Sequence, residues 1–162
     1  MQKKTQANVK ILFLDIDGVL NSNLYFKNSF NQGENNSKFD AYSVLLVRKL
    51  VEEFSLKIVI TSHWRNGIVD RLMNELKRNE LDGFLHEDCF TPILRAAQRG
   101  MEIKLWLDEH PTVTDYVIID DKENILEEQK NRFVKTSMFA GMLDENYYQA
   151  REIFMSAELI KK

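Results

Sequence analysis

An apolar run that ends abruptly in acidic residues is the feature that most constrains the fold of this chain. Residues 9–14 read Val-Lys-Ile-Leu-Phe-Leu, and Asp15, Asp17 and Gly18 follow at once. A nearly continuous apolar run of this length is typical of a strand buried on both faces of a parallel sheet. The sequence therefore predicts a sheet of the α/β type, with acids at the carboxyl end of its first strand.

Two later apolar runs have the same form. Residues 57–61 and 116–119 are predicted to be buried strands as well, and each ends in polar residues. These polar residues are Thr61, Ser62, Asp120 and Asp121.

Apolar residues at helical spacing separate these strands. Helices are predicted over residues 41–54, 68–81, 102–110 and 146–159, and short strands at 84–86 and 133–136. The polar, Asn-rich segment 21–38 is predicted to be an irregular loop or a short hairpin. Alternating strands and helices predict one domain over residues 1–162. We expect a three-layer, Rossmann-like α/β fold with a central, mainly parallel sheet and helices on both faces.

Composition narrows the class of protein. The 162 residues carry a net charge of -3, so no global basic field favours non-specific nucleic-acid binding. Cys89 is the only cysteine, which excludes an internal disulfide and fits a reducing compartment. Asp15 and Asp17 interrupt the apolar stretch 9–20, which argues against a signal peptide or a membrane helix. We expect a cytoplasmic protein without a membrane partner.

The acids at the strand ends predict a metal site. The carboxyl ends of neighbouring parallel strands meet at one edge of a sheet, so Asp15, Asp17, Asp120 and Asp121 are expected to share a small volume. Carboxylates at that density repel one another unless a cation neutralises them. A site of few oxygen ligands, completed by water and phosphate, suits Mg²⁺.

Such a site has the parts needed for phosphoryl transfer. A carboxylate beside the ion can attack phosphorus, and a second acid can protonate the leaving oxygen and later activate water. Gly18 allows a sharp turn and a close approach of backbone N–H groups to phosphate. Each motif also has an alternative without chemistry: an acidic turn after residue 14, helix caps at Thr61 and Ser62, and a helix cap before residues 122–129.

These motifs resemble those of the haloacid dehalogenase (HAD) superfamily. Residues 13–20, Phe-Leu-Asp-Ile-Asp-Gly-Val-Leu, resemble its first motif, residues 58–62 its second and residues 117–121 its fourth. The resemblance implies that Asp15 is the nucleophile and Asp17 the general acid/base, whose backbone carbonyl also contacts Mg²⁺. It further implies that the second-motif hydroxyl, on Thr61 or Ser62, binds phosphate. Asp120 and Asp121 would hold the metal, at least one of them directly.

The superfamily's third motif supplies a Lys or Arg that offsets charge on the phosphoryl group. It stands at the start of the helix before the fourth-motif strand, where this chain has Arg99, with Lys104 as the alternative.

The segments around residues 62–65 and 99–107 resemble a smaller branch of the superfamily. That branch includes domains of RNA-repair proteins and is similar in style to the phosphatase half of polynucleotide kinase-phosphatases. Arg65 would then bind substrate phosphate through its forked guanidinium, or else be an ordinary surface arginine. Trp64 and Trp106 are interpreted as core residues, with base stacking as the alternative.

The spaces between motifs are too short for a large cap domain. An open site can admit a polymer end, so the leading hypothesis is a phosphatase for nucleotide or nucleic-acid-end phosphates. The alternatives are a phosphatase for small metabolites and a non-catalytic module that kept the fold. The protein is expected to be a monomer or a homodimer.

Overall fold

A five-stranded sheet forms the centre of the protein. The computed structural model describes residues 8–32, 37–96 and 98–160. All described strands are parallel, and their order is β3-β2-β1-β4-β5. The strands are β1 (Val9–Leu14), β2 (Lys57–Ile60), β3 (Leu85–Phe90), β4 (Val113–Asp120) and β5 (Phe133–Lys135).

Helices cover the sheet on both sides. They are α1 (Asn23–Gln32), α2 (Ala41–Phe54), α3 (Val69–Arg78), α4 (Arg99–Glu109) and α5 (Asp144–Ile160). Short 3-10 turns lie at His63–Arg65, Asp82–Phe84 and Glu127–Arg132. Within the described residues no helix is long and apolar enough to cross a membrane.

Strand β1 is buried on both faces, which explains why its sequence is apolar almost without interruption. Leu12 and Leu14 on one face join the core built with α2, α3 and α5. Ile11 and Phe13 on the other face pack in a second core, to which α4 contributes Ile103 and Trp106. Successive side chains of a strand point to opposite faces, so a strand covered on both sides needs apolar residues at every position. The predicted three-layer fold is confirmed.

The strand order places the acids at one point of the sheet. The chain leaves β1 toward β2 and β3 on one side, and later returns to β4 and β5 on the other. Ligands of open parallel sheets bind at the carboxyl ends of the strands where the order reverses in this way, here between β1 and β4.

The segment after the first motif differs from its prediction, because it contains helix α1 instead of a loop or hairpin. The first backbone N–H groups of this helix donate to carbonyls of a distant loop, Asn23 to Met138 and Leu24 to Phe139, at 2.9 and 3.0 Å. Ser22 Oγ accepts from the N–H of Tyr25 at 3.1 Å. These long-range partners satisfy the helix end, and the local sequence does not reveal them. Residues 33–36 of the predicted loop lie outside the described residues.

The other elements differ less from prediction. Helix α2 has the predicted limits, with the Asp40 side chain accepting from the N–H of Tyr42. Helix α4 begins at Arg99, before its predicted start, and β3 extends beyond its predicted end to Phe90. Residues 122–129 form no α-helix, so Asp120 and Asp121 do not cap one there.

Candidate active site

Three carboxylates converge at the carboxyl ends of the two central strands. Asp15 follows β1, Asp120 ends β4 and Asp121 follows it. Each offers a carboxylate oxygen, and these atoms all lie within 4.8 Å of one another. Asp15 and Asp120 are buried, whereas Asp121 is half-buried. The predicted convergence of the first and fourth motifs is therefore present for these three acids.

Asp15 is held in place by its neighbours. Its backbone N–H continues the sheet by donating to Ile119 O at 3.1 Å. Its Oδ1 accepts from the N–H of Ile16 at 2.8 Å, and its Oδ2 lies 3.6 Å from Nη2 of Arg99. The carboxylate has one fixed oxygen and one oxygen beside a buried cation, an arrangement that suits a nucleophile.

The environment of the second acidic pair disfavours ionisation. Burial, together with the nearby charge of Asp15, raises the pKa of Asp120 to about 7, although Arg99 opposes the shift. The same causes raise the pKa of Asp121. Such shifts are the expected result of placing several carboxylates in one partly desolvated site.

Buried polar atoms without hydrogen-bond partners concentrate here. In the described part of the chain, seven buried side-chain atoms have no such partner. Four belong to this site: Thr61 Oγ1, Arg99 Nε, Asp120 Oδ2 and Asp121 Oδ1. Arg99 Nε does lie 2.8 Å from Asp120 Oδ2, but without hydrogen-bond geometry, so the contact is an ion pair only. Buried polar groups are normally satisfied, and a group of exceptions indicates a place for a ligand.

These atoms also fit a bound Mg²⁺ ion. The acidic oxygens are hard ligands, their mutual repulsion calls for a cation, and two of them lack partners of their own. Asp17 does not belong to the group within 4.8 Å. A contact between its backbone carbonyl and the ion stays a prediction.

Gly18 allows the second acidic pair to approach the first motif. Its φ of +77° lies in the left-handed region, and a Cβ atom there would stand 2.7 Å from Cβ of Asp121. Any larger residue would push Asp121 away from the site.

Arg99, and not Lys104, is the cation that contacts the acids. Arg99 is the first residue of α4, and its guanidinium faces both Asp15 and Asp120. Lys104 is one and a half turns further along and pairs with Asp108 at 2.9 Å, with 45% of its side chain exposed. The prediction that Lys104 takes part in substrate binding finds no support in this geometry, because its side chain points into solvent beside Asp108.

Hydrogen bonds join the start of α4 to the segment after the fourth motif. The N–H of Gly100 donates to Asn124 O at 3.0 Å, and Gln129 Nε2 donates to Gly100 O at 2.9 Å. A Cβ atom on Gly100 would stand 2.5 Å from the backbone nitrogen of Leu126. This close contact fixes the position of Arg99 relative to Asp120.

The two hydroxyls of the second motif are placed differently. Thr61 is fully buried, and its Oγ1 has no partner, which leaves it available to a phosphate oxygen. Ser62 Oγ accepts from the N–H of Trp64 at 3.4 Å and so caps the turn His63–Arg65. The capping alternative thus applies to Ser62, whereas Thr61 is the better candidate for binding phosphate.

Arg65 lies in the interior, against the expectation that it binds substrate or lies on the surface. Its guanidinium donates to carbonyls after β2 and β3 and to Glu102 Oε2 at 2.7 Å. The carbonyl acceptors are those of Thr61, Ser62, Thr91 and Pro92. With its donors occupied in this way, Arg65 ties two strand ends and α4 together and has no face left for a phosphate.

The sequence predicted no contact of Trp64 or Asn21 with Asp17, yet both bind it. Trp64 Nε1 donates to Asp17 Oδ2 and Asn21 Nδ2 donates to Asp17 Oδ1, each at 2.9 Å. Trp106, in contrast, is a core residue as interpreted, packed edge-on against Phe13. The only advance signal for Trp64 was its position just after the second motif.

A sizeable groove of the protein does not lie over the acids. It has a volume of about 690 Å³ and runs between β5 and α5, with Phe133, Lys135 and Glu152 in its lining. Shape alone would therefore point away from the cluster of acids, so the chemical character of the residues must locate the site.

Comparison with known proteins agrees with this fold. A family model described as the HAD domain in Swiss Army Knife RNA repair proteins matches residues 11–147. The chain belongs to this family, and the family supports a HAD-type hydrolase. No match was found among curated proteins or among solved structures.

Proposed function

We propose that the protein is a Mg²⁺-dependent phosphomonoesterase that forms a phosphorylated intermediate on Asp15. The observation that carries this proposal is the group of unpartnered buried atoms on Thr61, Arg99, Asp120 and Asp121, gathered around a fixed carboxylate. A donor hydroxyl and a guanidinium suit phosphoryl oxygens, and the acidic oxygens suit a hard cation. A purely structural cluster would have satisfied these atoms internally.

In the first half of the reaction, the Asp15 carboxylate attacks phosphorus and the bond from phosphorus to the alcohol oxygen breaks. Asp17 gives its proton to that oxygen, so the alcohol leaves neutral. Arg99 and Thr61 bind the phosphoryl oxygens, where negative charge is concentrated. Asp15 with Asp120 or Asp121 would hold Mg²⁺, whose positive charge would allow the anionic Asp15 carboxylate to approach an anionic phosphate.

In the second half, Asp17 acts as a base. Its carboxylate takes a proton from a water molecule whose oxygen attacks phosphorus, and the bond from phosphorus to Asp15 breaks. Inorganic phosphate leaves, Asp15 is a carboxylate again, and Asp17 carries the proton needed for the next turnover. The same two acids therefore serve both halves without a further proton donor.

We propose phosphates at nucleic-acid ends, or on nucleotides, as the substrate class. The family's description refers to RNA repair proteins. In the described chain, α1 is the only helix between the first motif and α2, so no cap domain closes the site from that side. An uncovered site can receive the end of a polymer, which a capped site would exclude.

Phosphate release with and without Mg²⁺ tests the proposal. The substrates are an aryl phosphate, 3′- and 5′-phosphorylated oligonucleotides, nucleoside monophosphates and sugar phosphates. We expect Asp15→Asn to lower kcat by at least about 10³-fold, as for other nucleophile removals. EDTA should have a comparable effect that added Mg²⁺ reverses.

A matched control is Asp115→Asn. Asp115 is also a buried aspartate, but it pairs with Arg132 near the other end of β4. This variant should lose stability yet keep its activity per folded molecule. A wild type that is inert on every substrate, or an Asp15→Asn variant as active as wild type, would rule out the proposed mechanism.

A further inference from the structure

We infer that Trp64 and Asn21 are positioning residues that hold the Asp17 carboxyl group toward the leaving group of the substrate. The inference rests on the proposed phosphatase activity and assigns roles to two side chains that the motifs do not include. Asp17 has one oxygen bound to each: Oδ2 accepts from the indole N–H of Trp64 and Oδ1 from the amide of Asn21.

Asn21 is itself held in one orientation. It is 1% exposed, and its Oδ1 accepts from the N–H of Gly18 at 3.2 Å. Because the amide oxygen is used in this way, the amide nitrogen must point to Asp17. The turn after the first motif thus fixes the Asn21 amide as a hydrogen-bond donor to Asp17.

Trp64 is fixed from several sides as well. The hydroxyl of Ser62 caps the turn that carries it. The ring of Phe39 lies 6.0 Å away, centroid to centroid, and the guanidinium of Arg71 lies 5.4 Å from the centre of the indole. The indole therefore lies beside Phe39 and under Arg71 and presents its N–H edge to Asp17, which fits neither a pure core residue nor an open base-stacking platform.

The chemistry explains why an indole suits this place. An indole nitrogen donates a hydrogen bond and cannot accept a proton. It can hold the carboxyl group through one oxygen without competing for the proton that Asp17 passes to the leaving oxygen. A carboxyl without these two donors could rotate away from the reacting atoms, and such misplacement is costly even over short distances.

The test uses the dependence of kcat/KM on the leaving group in the Mg²⁺-loaded enzyme. This ratio reports the steps up to departure of the alcohol. An alkyl phosphate needs a proton from Asp17 at that step, whereas p-nitrophenyl phosphate does not, since its phenolate leaves readily. General acid catalysis contributes roughly 10²–10⁴-fold. In Trp64→Phe we expect kcat/KM for the alkyl ester to fall at least about tenfold more than for the nitrophenyl ester.

Trp106→Phe is the matched control. It also removes an indole N–H that donates, at 3.1 Å, but to the backbone carbonyl of Asp88. We expect it to lower Tm and to leave the ratio between the two substrates as in wild type. Asn21→Ala is the second variant and should change the ratio in the same direction as Trp64→Phe, so the test does not depend on one variant folding.

The outcomes distinguish a failure of the positioning role from a failure of the proposed phosphatase activity. If wild type hydrolyses both esters and the folded Trp64 and Asn21 variants lose activity equally on each, the positioning role is wrong while the phosphatase proposal stands. If wild type hydrolyses neither, the proposed function fails and this inference fails with it.

Discussion

Two buried arginines near the acids show how hydrogen bonding distinguishes a structural charge from a functional one. Arg65 donates to several backbone carbonyls and to Glu102, so its charge is fully satisfied within the protein. Arg99 is just as buried, yet its Nε has no hydrogen-bond partner. Arg99 is paired with Asp15 and Asp120, but a buried N–H without a hydrogen bond is costly, and a protein retains one where a ligand completes it. We therefore expect Arg99, and not Arg65, to contact substrate.

This difference predicts the effect of Arg65→Gln. Removing the guanidinium takes the 2.7 Å ion pair from Glu102 Oε2, which then faces only Arg99 at 3.9 Å, and takes a side-chain donor from several buried carbonyls. We expect a loss of about 3–5 kcal/mol in the free energy of unfolding, as for other broken buried ion pairs. Urea denaturation followed by circular dichroism measures it.

Arg48→Gln is the control for that measurement. Arg48 also binds a carboxylate, that of Glu80, and the backbone carbonyls of Asn79 and Glu80. Glu80, however, is exposed. Its removal should cost no more than about 1 kcal/mol. Equal losses for the two variants would show that Arg65 does not have the structural role assigned to it.

The sequence predicts site residues well where they directly follow a strand. It predicts them poorly where tertiary packing brings them to the site. Asp15, Asp120 and Thr61 stand directly after apolar runs, so the topology of a parallel sheet brings them together. Trp64 and Glu102 act through side chains whose partners lie far away along the chain. Neither residue type nor spacing indicates such a partner before the fold is known.

Helix α4 carries Arg99 at its start, and the position of that residue depends on a contact between α4 and the segment after β4. Gly100 lies against the backbone of residues 125–126, and Gln129 bridges the two segments. A side chain at position 100 would separate them. The helix start that carries Arg99 would then move away from Asp120.

Gly100→Ala should therefore destabilise the protein, although alanine is the better helix former by about 1 kcal/mol. The new Cβ would stand 2.5 Å from a backbone nitrogen, which cannot move as a side-chain tip can. Overpacking of this kind costs about 1–3 kcal/mol. Thermal unfolding measures the loss, and kcat/KM should fall with it as Arg99 is displaced.

Gly83→Ala is the corresponding control, since a Cβ atom there meets nothing within 4 Å. It should leave Tm and activity close to those of wild type. A Gly100→Ala variant as stable and active as wild type would contradict the role given to this contact.

Helices α1 and α2 show which elements a sequence can predict. Helix α2 has apolar residues at regular helical spacing and a capping aspartate, and its predicted limits agree with the structure. Helix α1 is polar on average and depends on the carbonyls of Met138 and Phe139 at its start. Local propensity is weak there, and contacts with a distant loop decide the conformation.

For the whole molecule, the sheet concentrates negative charge at a single edge. A parallel sheet that reverses its order between β1 and β4 must bring the ends of those strands together, and this chain has acids at both ends. This arrangement lowers the stability of the folded state, because the three carboxylates repel one another and are partly desolvated. Stability of the entire protein should therefore depend on both protons and Mg²⁺.

The sign of the pH effect follows from the raised pKa of Asp120. Its pKa is about 7 in the folded protein, against an ordinary value of 3.8. Between these two pH values the folded state holds a proton that the unfolded chain has released. The stabilisation from this proton is complete below the unfolded pKa and is lost as pH rises through the folded one. The pKa of Asp121 is raised as well, which acts in the same direction.

Thermal unfolding in EDTA and in Mg²⁺, at about pH 5.5 and about pH 8, tests this coupling. In EDTA, the Tm of wild type should fall toward the higher pH more than that of Asp120→Asn, which lacks the titrating group. Mg²⁺ requires deprotonated ligands, so it should raise Tm more at the higher pH, and raise it little in the variant. An equal rise at both pH values, or an equal rise in wild type and variant, would show that Mg²⁺ does not bind at Asp120.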